Sequence, residues 1–199
     1  MGDHPSLAPE ALLAAYAEGG FPMDEPGARG AVALYTCDPR GIMPIAGFRV
    51  PRSVGRALRA RPYAIRVDTA FGEVAAACSG IRGGGVWLTH RLVAAYERLH
   101  RDGWAHSVEA WDGDRLVGGL FGVALGGLFT SETMFHRAPD AGNAALVATA
   151  RLLDAAGFVL WDIQMTSPHT RRFGAVGIPP DEYLRRLAAA LAARPRPLA

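Results

Sequence analysis

The sequence has few of the features that mark secreted, membrane-spanning or metal-binding proteins. No apolar run approaches the roughly 20 residues of a transmembrane helix, and no basic start precedes an apolar stretch. We therefore expect no membrane span, no secretory signal and a cytoplasmic location. The two cysteines, Cys37 and Cys78, lack the spacing of a metal site, and the six histidines form no HxxxH or HExxH pair. We predict no metal and no cofactor.

Lysine is also absent, and all 21 strongly basic residues are arginine, a bias that we attribute to GC-rich coding. The glycine run Gly83-Gly84-Gly85 lacks the GKS/T ending of a nucleotide-binding loop, so a turn is the better interpretation. What remains is an ordinary globular composition: 199 residues, half of them hydrophobic and a fifth charged. This length suits one large domain or one domain with a small companion.

Hydrophobic periodicity predicts an α+β fold with a mainly antiparallel sheet flanked by helices. A first helix begins at Pro9, and a turn-rich connector follows it. After residue 48 the predicted order is helix, strand, two helices, three meander strands, helix, strand and helix. The composition places a domain boundary near residue 48, which gives a small N-terminal domain, residues 1–48, and a larger domain, residues 49–199.

The predicted strand FVLWDIQM, residues 158–165, contains two polar residues that share one face. A carboxylate at Asp162 and an amide at Gln164 would be costly to bury without partners. They could be satisfied polar groups that bridge to a neighbouring strand. Alternatively, this face opens onto a cleft where a reaction takes place.

The helix VPRSVGRALRARP places Arg52, Arg56 and Arg59 on one face, and Arg61 extends the basic character. Such a face can bind nucleic-acid phosphates. An ordinary solvated helix face is the equal alternative.

Three segments together resemble leucyl/phenylalanyl-tRNA–protein transferases, the bacterial aminoacyltransferases of the N-end rule pathway. They are LYTCDPRGIMP, the meander AHSVEAWDGDRLVGGLFGVALGGLFTSETMF, and WDIQMTSPHTRRFGA. The similarity extends from about residue 6 to about residue 188, and the spacing between the segments agrees. The resemblance implies an acetyltransferase-like (GNAT-type) larger domain. It also implies transfer of leucine or phenylalanine, sometimes methionine, from aminoacyl-tRNA to proteins with N-terminal arginine or lysine.

The resemblance also implies roles for individual residues. The family's catalytic Asp and Gln correspond to Asp162 and Gln164. We hypothesise that Gln164 aligns the attacking amine, while Asp162 either polarises that amide or accepts the proton. Glu132 of SETMF would bind the basic acceptor, or could instead be a surface carboxylate paired with Arg137.

The pocket for the transferred side chain would be lined by Leu120, Met134, Thr149 and Leu153. Tyr35 would stack on a nucleobase, where the family usually has tryptophans, and Trp87 would contact the terminal adenosine. We expect a monomer that binds no membrane. The alternatives are an acyl-CoA-dependent N-acetyltransferase, disfavoured because HRAPDAGNA lacks the glycines of a pyrophosphate turn, and a noncatalytic tRNA-binding module.

Overall fold

The computed structural model describes residues 7–24, 32–79 and 87–198. The described helices are α1 Pro9–Ala17, α2 Arg52–Ala60, α3 Phe71–Ser79, α4 His90–Arg101, α5 Ala141–Ala156, α6 Pro168–Arg171 and α7 Pro180–Ala192. The described strands are β1 Phe21–Asp24, β2 Val32–Tyr35, β3 Arg40–Met43, β4 Ala64–Val67, β5 Ala105–Asp112, β6 Arg115–Leu125, β7 Leu128–His136, β8 Leu160–Gln164 and β9 Val176–Ile178.

One seven-stranded sheet organises the chain, in the order β4-β5-β6-β7-β8-β3-β9. All neighbouring strands in it are antiparallel except β7 and β8, which are parallel. Strands β1 and β2 form a separate antiparallel pair. The parallel step arises because α5 crosses over between β7 and β8, as parallel neighbours require.

Helices cover both faces of the sheet. Leu120 and Phe121 alternate along β6, so they point to opposite faces. Phe121 joins a core with α1, α3 and α4, while Leu120 joins a second core with α5. A third core packs α7 against β3, β8 and β9. The predicted α+β class with a mainly antiparallel, helix-flanked sheet is therefore confirmed.

Most predicted elements are present, with boundaries shifted by a few residues. The predicted meander turns are confirmed, and Gly113 and Gly126 occupy them with positive φ. The sequence predicts Thr89 as the N-terminal cap of α4, and this is confirmed because the Thr89 hydroxyl accepts from the Leu92 amide at 3.4 Å. The periodicity of the last helix predicts that Leu184 faces inward, which is wrong because this side chain is 48% exposed.

Strand β3 was not predicted, because LYTCDPRGIMPI suggested only an extended or turning segment. Arg40–Met43 in fact pairs with β8 on one side and β9 on the other. Residues N-terminal to the predicted boundary at 48 thus contribute a strand to the large sheet. The division into domains 1–48 and 49–199 stays a prediction. The glycine run at residues 83–85 lies outside the described residues.

Candidate active site

The strands β7, β8 and β3 lie side by side, and polar side chains from all three converge. Asp162 on β8 pairs with Thr130 on β7 and with Ile42 on β3. Asp162 is fully buried, and Thr130 is equally inaccessible. The centre of this group is therefore covered by neighbouring elements and not exposed to solvent.

Arg40 of β3 is the direct partner of the Asp162 carboxylate. Its Nε donates to Oδ1 at 2.9 Å and its Nη2 donates to Oδ2 at 2.5 Å, a two-point ion pair. The Tyr183 hydroxyl of α7 donates to Oδ2 at 2.9 Å. Burial by itself would lower the pKa of Arg40, but the hydrogen bonds and charge of Asp162 outweigh it and raise that pKa. Burial and the Asp162 charge likewise raise the pKa of Tyr183.

Gln164 ends β8 in an unusual backbone conformation. Its φ is 54°, in the left-handed region that non-glycine residues rarely adopt. Its backbone N–H donates to Asp162 Oδ1 at 2.9 Å, and its Nε2 donates to the Thr130 hydroxyl at 2.7 Å. The predicted shared face is confirmed, because the Asp162 carboxylate also lies within 3.5 Å of that hydroxyl.

Glu132 of β7 belongs to the same polar group. Its Oε2 accepts from the Tyr96 hydroxyl at 2.8 Å, and that hydroxyl lies 2.7 Å from the Tyr16 hydroxyl. Its Oε1 accepts from Thr130 at 3.4 Å. Burial raises the pKa of Glu132 from 4.5 to about 7, although the hydroxyls of Tyr96 and Tyr16 act to lower it.

The alternative pairing of Glu132 with Arg137 is wrong. Arg137 instead donates to the Leu116 carbonyl at 3.4 Å and lies over the Phe135 ring. The two side chains lie in different places. Glu132 lies within β7 and points to the polar group, whereas Arg137 lies one residue beyond the end of β7.

Two interruptions in strand pairing shape this region. Phe121 pairs with Thr133 and Gly122 with Ser131, which leaves Glu132 as the extra residue of a bulge. Ile163 is likewise extra between Asp162 and Gln164 opposite β3. Such bulges re-aim side chains and are frequent beside active sites.

Gly41 of β3 makes the bulge in β8 possible. A Cβ at this position would lie 2.7 Å from the backbone carbonyl carbon of Met165. Any larger residue would push β3 away from β8 and from the Asp162 carboxylate.

Solvent exposure rises along the end of β8. Asp162 is 0% exposed, Gln164 is 8% exposed and Met165 is 63% exposed. The expectation that this face opens onto a cleft is therefore wrong for the Asp162 carboxylate, which is sealed by Arg40 and Tyr183. Gln164 and the partly buried Glu132 are the members of the group that solvent can reach.

Three of the four residues predicted to line an apolar pocket, Leu120, Met134 and Leu153, come together between the sheet and α5. Leu120 pairs with Met134 across β6 and β7, and both contact the second core, which contains Leu153. Thr149 is buried, and its hydroxyl donates to the Ala145 carbonyl at 2.9 Å. The hydroxyl is thus satisfied within α5, which leaves the methyl group for apolar contact.

The arginines of α2 line a cleft of about 630 Å³ between α2, β4 and α5. Arg52, Arg56 and Arg59 form one wall, and Arg151 of α5 lies in the same lining, which contains no Asp or Glu. Arg61 is not part of this lining. It forms an exposed ion pair with Asp112 at 2.8 Å.

Tyr35 and Trp87 lie on the side of the first core. The Tyr35 ring lies 6.2 Å from the ring of Phe21, and Phe21 in turn lies under the Arg40 guanidinium at 5.0 Å. Trp87 is half-buried, and its carbonyl accepts from the Asp24 amide at 3.1 Å. Both residues are partly exposed, and three successive contacts, through Phe21 and Arg40, connect Tyr35 to Asp162.

Sequence reasoning missed five partners of the predicted residues: Thr130, Arg40, Tyr183, Tyr96 and Tyr16. The available signals were weak. Arg40 lies in the Asp-Pro-Arg segment of the resemblance, and helical periodicity places Tyr183 among the apolar residues on the inward face of the last helix. Nothing in the sequence linked Tyr16 or Tyr96 to Glu132.

Comparison with known proteins places this arrangement in a family. Residues 42–188 match the family described as leucyl/phenylalanyl-tRNA protein transferase. A protein of that name from Nitratidesulfovibrio vulgaris is 49% identical over 181 residues, covering 89% of this chain and 76% of its own. The chain belongs to this family. Another transferase of the same name, from Rubrobacter xylanophilus, is 46% identical over 186 residues, covering 93% and 95% of the two chains.

Membership in the leucyl/phenylalanyl-tRNA–protein transferases makes the chain an aminoacyltransferase, as the resemblance implied. The solved structure of L-PGS from Bacillus licheniformis covers 93% of this chain and 71% of its own, with a TM-score of 0.49 and 11% identity. That likeness is too weak to carry an argument. Within the described ranges, no helix is long and apolar enough to cross a bilayer.

Proposed function

We propose that this transferase moves leucine or phenylalanine, and sometimes methionine, from aminoacyl-tRNA to proteins that begin with arginine or lysine. The modified proteins would be marked for N-end rule degradation. Family membership supports the proposal. The observation that carries it is that Asp162, Gln164 and Glu132 meet around one buried hydroxyl, that of Thr130.

The reaction is the aminolysis of an activated ester. The α-amine of the acceptor attacks the ester carbonyl carbon, a C–N bond forms, and the C–O bond to the ribose breaks. The amine loses a proton, and the ribose oxygen gains one. The enzyme contributes by orienting two large substrates and by stabilising the charge that develops on the tetrahedral intermediate.

Gln164 suits the role of orienting the amine. One of its amide N–H groups already donates to Thr130 at 2.7 Å. The amide oxygen is an acceptor, and an acceptor is what an incoming amine requires. Because the side chain is held at its nitrogen, that oxygen is presented in a fixed direction.

Glu132 suits the role of binding the basic acceptor. It is the carboxylate of the group that solvent reaches, whereas Asp162 already has its charge matched by Arg40. The cationic side chain of an N-terminal arginine or lysine arriving at Glu132 would satisfy a carboxylate that burial disfavours. An N-terminal residue with a neutral side chain would leave it unmatched, which gives selection for arginine and lysine.

The cluster of Leu120, Met134, Thr149 and Leu153 is our candidate for holding the transferred side chain. Three of these residues are already part of, or packed against, one apolar core beside β7. This cluster lies on the α5 face of the sheet, whereas the Tyr16 and Tyr96 partners of Glu132 lie on the opposite face. The ester would therefore have to reach Glu132 and Gln164 between β7 and β8, beyond their last paired residues Thr130 and Asp162.

The cleft of Arg52, Arg56 and Arg59 is our candidate site for the tRNA acceptor stem, with Arg151 as a fourth cation. Guanidinium groups on two walls can contact successive phosphates, and no lining carboxylate opposes them. Arg61, paired with Asp112, would contribute at the rim. Tyr35 and Trp87 remain candidates for stacking on the terminal bases.

Several finer features belong to the same proposal. We assign the larger domain to the GNAT-type fold, supported by the helix-flanked antiparallel sheet, and we expect a monomer in the cytoplasm. An acyl-CoA-dependent acetyltransferase is the alternative enzyme. No described contact favours it over aminoacyl transfer.

The test is mass spectrometry of peptides incubated with the protein and charged tRNA. An Arg-starting and a Met-starting peptide are each offered leucyl-, phenylalanyl- and methionyl-tRNA, and a parallel reaction offers acetyl-CoA. We expect the Arg-starting peptide to gain the mass of leucine or phenylalanine. Acetylation alone, or tRNA binding without any transfer, would overturn the proposal.

A further inference from the structure

The Asp162 carboxylate has all of its acceptor positions occupied by the protein. A carboxylate offers about four lone-pair positions. Two are taken by Arg40, one by the Tyr183 hydroxyl and one by the backbone N–H of Gln164. Because Asp162 is also 0% exposed, a substrate amine has no path to it and no free lone pair to meet.

Arg40 is itself held from several directions. Its Nη1 donates to the Gly19 carbonyl at 2.9 Å, and its guanidinium lies over the rings of Phe21 and Tyr183 at 5.0 and 4.5 Å. With only 2% exposure it can neither rotate away nor be replaced by water. The ion pair with Asp162 is therefore a fixed part of the fold.

The bond from Asp162 to the Gln164 N–H connects this fixed pair to the proposed reaction centre. Gln164 has a φ of 54°, a conformation that persists only where its surroundings impose it. The Asp162 carboxylate, at 2.9 Å from that N–H, is the charged group that stabilises it. Loss of the carboxylate's orientation would let Gln164 relax toward ordinary strand geometry.

We propose that Arg40 and Tyr183 are positioning residues for aminoacyl transfer: they hold Asp162 as a fixed anion, and Asp162 holds Gln164 in the conformation that presents its amide to the acceptor amine. This inference rests on the proposed function of Gln164. It assigns Asp162 a role through position and charge, and not as the acceptor of the amine proton. The proposal also gives a role to two contacts from outside the sheet: α7 brings the Tyr183 hydroxyl to Asp162, and the segment after α1 brings the Gly19 carbonyl to Arg40.

The first experiment compares Tyr183→Phe with wild type in transfer of leucine to an Arg-starting peptide. The substitution removes one hydroxyl and keeps the ring under Arg40. Loss of one hydrogen bond to a charged group predicts a fall in kcat of about tenfold. We expect the peptide KM and the Kd for charged tRNA to stay within about twofold, because neither substrate touches Tyr183. An unchanged kcat, or a loss confined to KM, would overturn the proposal.

A double-mutant cycle with Gln164→Ala separates positioning from general destabilisation. If Tyr183 acts through Gln164, then adding Tyr183→Phe to Gln164→Ala causes no further loss of kcat. If the two losses multiply, the positioning role is wrong. Thermal unfolding curves of each variant establish that the folded fraction at the assay temperature is unchanged.

Arg40→Lys provides a second variant that keeps the positive charge but loses the two-point geometry. We expect a larger fall in kcat than for Tyr183→Phe, while Arg101→Lys, at an exposed position on α4, retains wild-type activity. Arg40→Lys at wild-type kcat would count against the proposal. A wild-type protein that transfers no amino acid would instead overturn the proposed function, so the two failures are distinguishable.

Discussion

Glu132 makes the stability of the protein depend on pH in a way that one substitution can isolate. Burial raises its pKa from 4.5 to about 7, so between these values the folded chain binds a proton that the unfolded chain releases. Stability therefore falls as pH rises from about 4.5 to about 7, because the folded protein must accept a charge that its surroundings disfavour. Above that window the full penalty is present.

The size of the penalty follows from the displacement of the pKa. Each pKa unit corresponds to about 1.4 kcal/mol, so the rise from 4.5 to about 7 sets an upper limit of about 3 kcal/mol. Glu132 is only partly buried, and water screens part of the effect. We expect about 2 kcal/mol, which corresponds to a change in Tm of about 4–8 °C for a chain of this size.

Glu132→Gln removes the titrating group and keeps a side chain of the same shape. We expect the free energy of unfolding of the variant, relative to wild type, to be about 2 kcal/mol higher at pH 8 than at pH 5. Comparing the two pH values cancels any constant effect of exchanging a carboxylate for an amide beside Tyr96. The assay is urea unfolding followed by circular dichroism at pH 5, 6, 7 and 8.

Glu73→Gln, at an exposed position on α3, is the matched control, and its difference from wild type is expected to vary little over this range. A Glu132→Gln difference that is equally flat would mean that the Glu132 carboxylate ionises as freely as in water. The reasoning that places it in a desolvated polar group would then fail.

Other substitutions probe the remaining parts of the proposal. Asp162→Ala leaves Arg40 buried and unpaired, so we expect a loss of about 3–5 kcal/mol in the free energy of unfolding together with loss of transfer; a destabilisation below about 1 kcal/mol in urea titrations would contradict this. Glu132→Arg should raise the peptide KM far more than the KM for aminoacyl-tRNA, and equal effects in steady-state kinetics would remove it from acceptor binding. Arg151→Ala should weaken tRNA binding and lower the slope of log Kd against log salt by about 1 in filter-binding titrations, whereas Arg101→Ala should change neither; identical slopes for the two variants would exclude the cleft as a phosphate site.

The sequence was informative where the signal is local. Helical periodicity predicted the helix that carries Arg52, Arg56 and Arg59, and turn glycines predicted the three-stranded meander. These features depend on residues within a few positions of one another, so they are visible without knowledge of the fold. The two-residue period of a strand likewise predicted that Asp162 and Gln164 share a face.

Strand β3 and the bulges were not predictable in the same way. Arg40–Met43 is a strand only because β8 and β9 pair with it, and its four residues have no distinctive alternation. The bulge at Glu132 exists because Phe121 and Gly122 of the neighbouring strand pair with residues two apart. A bulge is a property of two strands together, and neither sequence segment reveals it alone.

The sequence by itself determined the longer helices, the meander strands, the family resemblance and the identity of the acidic and amide residues at the proposed reaction centre. Only the tertiary structure decided that Asp162 is sealed beneath Arg40 and Tyr183, and that Glu132 keeps contact with solvent. The physical reason is distance along the chain: Arg40 and Asp162 are 122 positions apart. Burial and charge pairing arise from such long-range contacts, and these decide which carboxylate a substrate can reach.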